Sequence, residues 1–200
     1  MPMESGFSSF FLMALTALAV ENVIFFRVLG LNRQVLFLKS PKMGILYGGM
    51  FTLVALLSSL LVSLVNHLLR DSIYTSYLRA PAYFICVAIV YVAIYLGTRA
   101  FLPAVFEHIR DILPVSVFNT ALFGAFYVTA INGFNIFQTT GYAFGAGVGY
   151  TLAVLVVYFA RKRLAISPVP RSFRGLPVLL IYIGMLSLAL YGLIGHGLPT

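Results

Sequence analysis

The chain has 200 residues, of which 61% are hydrophobic and only 9% charged. A soluble domain carries about 25% charged residues, so the composition excludes that class and describes a polytopic membrane protein. The net charge of +8 fits basic loops at a membrane surface, not nucleic-acid binding.

Segment 1, Phe7–Leu31, is an apolar run of 25 residues. As an ideal helix it rises about 38 Å, while a bilayer core needs roughly 20 residues. No Lys or Arg precedes Arg27, so the run lacks the basic start of a signal peptide and reads as a retained span. Glu21 and Asn22 interrupt it well inside its ends. An acid at that depth costs a few kcal/mol and is a functional candidate by default. With Asn22 it offers the hard oxygen ligands that small cations prefer. The competing reading is that both serve only as interhelical hydrogen-bond glue. Arg27 lies six residues beyond Glu21, which is not a helix-neighbour spacing, so no ion pair is expected between them.

Segment 2 is Met43–Val65, with Gly44 and Gly48 four apart. Segment 3 is Ala80–Gly97, with Pro81 expected at its start, where a missing N–H matters least. It holds the single cysteine, Cys86. One thiol excludes an internal disulfide and any multi-cysteine metal site from this chain alone; a small packed apolar role is expected. Segment 4, Leu113–Ile131, carries Asn119 and Thr120 much as segment 1 carries Glu21 and Asn22. Segment 5, Thr140–Ala160, opens with Gly141, Gly145 and Gly149, a one-face stripe that lets another helix approach. Segment 6 is Pro177–Gly195. His67, His108 and His196 are scattered and show no metal-ligand spacing.

The result is an all-α bundle of six spans in a single domain, residues 1–200. Segments 1 and 4 are interrupted. The spans divide into a repeat of about 7–97 and a second of about 113–195, and an odd number of spans per repeat inverts the second. In such proteins function collects at the midplane where broken helices meet. Glu21, Asn22, Asn119 and Thr120 are therefore the candidate ion path. The loops 32–42, 98–112 and 161–176 hold three, two and five Lys/Arg, against two in 66–79 and none in 132–139. The basic loops are expected in the cytoplasm and both termini outside.

Several stretches resemble the six-span membrane subunits of the Rnf and Nqr electron-transport complexes. They are Val20-Glu21-Asn22 with Leu29-Gly30-Leu31; Leu113-Pro114, Asn119 and Gly124; and Tyr142 through Gly149. The most specific is Val169-Pro170-x-x-Phe173-Arg174-Gly175, followed by Gly184-Met185-x-Ser187-Leu188-Ala189. The chain is most similar to the branch holding the A subunit of Rnf and the E subunit of Nqr. The resemblance implies an integral subunit of an ion-translocating complex in the bacterial cytoplasmic membrane, paired with a homologous six-span subunit. It also implies an iron–sulfur cluster held by two cysteines from each partner. The matching positions here are Asn32 and Thr120, and neither supplies a thiolate. No cofactor in this chain is expected. Two functions stay open: a divergent subunit of such a complex without its own cluster ligands, or a non-redox carrier or scaffold that keeps the inverted-repeat fold.

Overall fold

A computed structural model describes residues 6–27, 29–31, 38–69 and 75–194. Helices and turns make up the described residues, with no strand among them. Segment 1 comprises α1 (Gly6–Leu15), one wide turn (Thr16–Val20) and α2 (Val23–Arg27). The wide turn closes with the Glu21 N–H donating to Thr16 O, five residues back, at 2.9 Å. Such π turns recur at functional interruptions of helices.

Segment 2 is α3 (Pro41–Leu68). Ser40 caps it, accepting from the Met43 N–H at 3.4 Å, and Pro41 takes the first position, where no N–H is needed. Segment 3 is α4 (Thr75–Phe101), and α5 (Pro103–Ile109) links it to segment 4. Segment 4 comprises α6 (Leu113–Val117) and α7 (Thr120–Ile131), with a break at Phe118–Asn119. Segment 5 is α8 (Ile136–Ile166), which begins in a capping box: Asn135 accepts from the Gln138 N–H, and Gln138 from the Asn135 N–H. Segment 6 is α9 (Leu176–Ile194), entered through Gly175 at φ +88°. By length and apolar character five of the segments can cross a membrane; segment 1 contributes a shorter apolar helix, Gly6–Val20.

One boundary differs from the sequence reading. Helix α4 begins at Thr75, so Pro81 lies inside it, not at its mouth. Hydropathy ends the span at charged Arg79, but backbone hydrogen bonding does not stop at a charge. Membrane helices tolerate an internal proline because neighbouring groups re-satisfy the freed carbonyl.

The core forms where α3 and α8 cross, with α1 against α8 and segment 4 against α3. Segment 3 packs on segments 2 and 4; segment 6 packs on segments 5 and 1. Exchanging segments 1, 2 and 3 with 4, 5 and 6 leaves these contacts unchanged, but segment 4 also packs on segment 5 without an equally extensive contact between segments 1 and 2. The crossing itself obeys the same exchange. Thr52 on α3 bonds Gly48 O at 2.8 Å, and Thr151 on α8 bonds Gly147 O at 2.9 Å. A Cβ on Gly48 would run into Thr151, and one on Gly147 into Thr52. Between them Phe51 stacks on Tyr150, with ring centroids 4.3 Å apart. Two Gly-x-x-x-Thr faces thus interlock reciprocally about the aromatic pair.

The glycine stripe on α8 does what its spacing predicts. A Cβ on Gly141 or Gly145 would collide with the backbone carbonyl of Phe10 or Ala14 on α1. Backbone-to-backbone approach this close is open only to residues without a side chain.

Candidate functional site

The two breaks are built alike. In segment 1 the Asn22 side-chain oxygen accepts from the N–H groups of Ile24 (3.1 Å) and Phe25 (3.4 Å), starting α2. In segment 4 the Asn119 oxygen accepts from the Ala121 N–H at 3.0 Å, starting α7. An asparagine cap is worth about 1 kcal/mol over alanine. Each amide nitrogen then reaches α8, at adjacent residues. Asn22 Nδ2 donates to Gly149 O at 2.9 Å, and Asn119 Nδ2 to the Tyr150 hydroxyl at 2.7 Å. The Tyr150 hydroxyl donates to Gly30 O at 3.3 Å, and the Gly30 N–H to Thr120 Oγ1 at 2.9 Å. Asn22, Asn119, Gly30 and Tyr150 are all buried, as a bonded polar network must be in an apolar interior.

Glu21 stands apart from this junction. Its Oε2 accepts from the buried Tyr142 hydroxyl at 2.8 Å. Tyr142 lies seven residues before Gly149, about 10 Å along α8. The same oxygen is 3.7 Å from Arg27 Nη2, and the two side chains are 37% and 45% exposed. The expected absence of a Glu21–Arg27 pair is therefore corrected. Helix-neighbour spacing does not apply across residues 21–22, where the chain leaves the helix and turns α2 back beside the carboxylate.

Of the four candidate path residues, Asn22, Asn119 and Thr120 converge on one junction, while Glu21 does not join it. Asn32 lies outside the described residues. Sequence reading alone missed Tyr142, Tyr150 and the part played by Gly30. Tyrosines within an apolar span are the signal that could have found the first two, since a buried hydroxyl requires a partner. Among the described residues no three His, Cys, Asp or Glu side chains gather as metal ligands.

The family model for Rnf-Nqr subunits, described as membrane proteins, matches residues 10–196. The chain belongs to the Rnf-Nqr family. Relatives of this Rnf-Nqr chain include the A subunit of the ion-translocating oxidoreductase complex of Syntrophotalea carbinolica. The two are 28% identical over 92% of this chain and 95% of the relative. The protein of the same name from Sodalis glossinidius is 30% identical, over 88% and 91%. The A subunit of the Na(+)-translocating ferredoxin:NAD(+) oxidoreductase complex of Acetobacterium woodii is 26% identical, over 90% and 94%.

Of the two positions that match family cluster ligands, the one among the described residues offers no ligand suited to an iron–sulfur cluster. At position 120 this Rnf-Nqr chain has a hydroxyl that already accepts the Gly30 N–H, whereas clusters are held by thiolates or occasionally imidazole. Cys86 is buried on α4, in a different span.

Proposed function

We propose that this Rnf-Nqr-family chain is an integral membrane subunit of an ion-translocating electron-transport complex, and that it contributes a polar path through the bundle instead of cluster ligands. The observation that carries this reading is the Glu21 carboxylate at the break of segment 1, held by the Tyr142 hydroxyl and faced by Arg27. A carboxylate beside a movable cation is a site that a translocated ion can contest. Arg27 balances the charge when no ion is present and moves aside when one arrives. Asn22, Asn119 and Thr120 hold the two breaks in register around α8. The names of the relatives support membership of such a complex. The lysine and arginine count of the loops supports both termini outside, and the resemblance to the relatives supports a cytoplasmic-membrane location. Its partners in this reading are the lipid bilayer and other membrane subunits, one of them a homologous six-span chain.

The test is Glu21→Gln, which keeps shape and hydrogen bonding while removing the charge. The variant complex is expected to assemble and to lose ion-coupled activity. Full coupling in an assembled Gln variant would overturn the ion-path role. Metal analysis and electron paramagnetic resonance on anaerobically purified protein are expected to find no cluster at the Asn32/Thr120 site. A stoichiometric cluster signal that survives Cys86→Ser and vanishes on replacing Asn32 or Thr120 would reverse that part.

The hydroxyl at position 120 also favours a second reading, a non-redox carrier or scaffold with the same fold. The chains that copurify with the native protein decide between the two. Flavin- and ferredoxin-like subunits go with the first, and their absence goes with the second.

A further inference from the structure

A cavity of about 520 Å³ lies between the end of α3, the start of α4 and the end of α7. Asn66, His67 and Arg79 are part of its polar lining, and Leu60 and Leu64 part of its apolar wall. Among the described residues, two buried nitrogens here have no partner: Asn66 Nδ2 and Arg79 Nε. The Asn66 orientation is imposed from behind. The Tyr83 hydroxyl, on a buried ring, donates to Asn66 Oδ1, leaving the amide only donors to offer. Unpaired buried donors are costly, a charged one more so, and native proteins rarely keep them without a ligand or water. No carboxylate among the described residues lines the cavity.

We infer that this cavity binds the phosphate headgroup of an anionic phospholipid. A guanidinium and an amide N–H together match the oxygens of a phosphate. The apolar wall selects a lipid over a free anion. Leu60 and Leu64 are one turn apart on α3 and 49% and 56% exposed, so an acyl chain can run from the cavity along the outward face of that helix. The inference does not rest on the proposed ion path, although Phe134 of the cavity wall packs against the Tyr142 ring, centroids 5.9 Å apart.

Native mass spectrometry of the full-length purified chain tests this, with phosphatidylglycerol and phosphatidylcholine of identical acyl chains as probes. Phosphatidylglycerol is expected to be retained in preference. Arg79→Gln is expected to weaken its retention about tenfold, the scale of one charge-assisted hydrogen bond. Asn66→Asp keeps the acceptor for Tyr83 but places a negative charge in the cavity, and is expected to weaken retention comparably. It decides the matter if Arg79→Gln does not fold. Arg163→Gln, at the far end of α8, controls for loss of charge alone and should change nothing. Equal retention of the two lipids, or wild-type retention in the folded cavity variants, overturns the inference. Complete displacement of the lipid by inorganic phosphate also overturns it, because the site would then hold a free anion.

Discussion

Gly30 holds φ +85°, a conformation that L side chains rarely adopt. A Cβ there would lie 2.8 Å from Ala121 Cβ and Tyr150 Cε2 and 2.9 Å from Asn119 Oδ1. Left-handed strain and overpacking add, so Gly30→Ala is expected to cost about 3 kcal/mol. Thermal unfolding in detergent reads that loss, and an unchanged melting temperature would contradict the junction geometry. Tyr142→Phe is a gentler probe. It keeps the ring and removes only the hydroxyl that Glu21 accepts, at about 1 kcal/mol. Melting should shift slightly while ion coupling in the assembled complex falls, because the carboxylate loses the donor that positions it. The candidates Asn22, Asn119 and Thr120 could be picked out in the sequence for one reason: polar side chains stand out in an apolar run. Their partners could not, and neither could that of Glu21, because Gly149 acts through a carbonyl that every residue has, and Arg27 reaches Glu21 only through a break whose direction no periodicity encodes.

Among the helices, the glycines sort by what lies opposite them. Gly145→Ala would drive a methyl into the Ala14 carbonyl, and backbone cannot swing aside as a side chain can. A loss of about 3 kcal/mol or more is expected, read as poor recovery of folded protein. Gly184 and Gly192 on α9 have nothing within 4 Å of where a methyl group would sit. Gly184→Ala in the isolated chain should therefore be neutral or gain about 0.5–1 kcal/mol from helix propensity, measured in the same melts. The four-residue spacing announced the stripe on α8 and, in segment 2, the Gly48 contact. Helix ends were less legible. Hydropathy marks where lipid contact stops, whereas caps such as Ser40 and Asn135 mark where hydrogen bonding starts, and at α4 the two differ by several residues.

For the molecule as a whole, orientation is the property most open to direct test. Reporter fusions after Lys42, Arg110 and Arg163 are expected to report cytoplasm, and fusions near Ser76, Gln138 and the C-terminus the outside. A cytoplasmic C-terminus would contradict both the charge rule and the count of six crossings. The sequence divides into three spans and three, each led by an interrupted one. What sequence similarity between the halves could not supply is the interlock of Gly48 with Thr151 and Gly147 with Thr52 around Phe51 and Tyr150, which depends on where two distant helices cross. That crossing has a mechanical consequence. Asn22 is tied to Gly149 and Asn119 to Tyr150, neighbouring residues whose Cα atoms are about 1.5 Å apart along the axis of one unbroken rod. A piston stroke or roll of that rod pulls on both breaks at once as long as these two bonds hold, which gears the two halves of the bundle together.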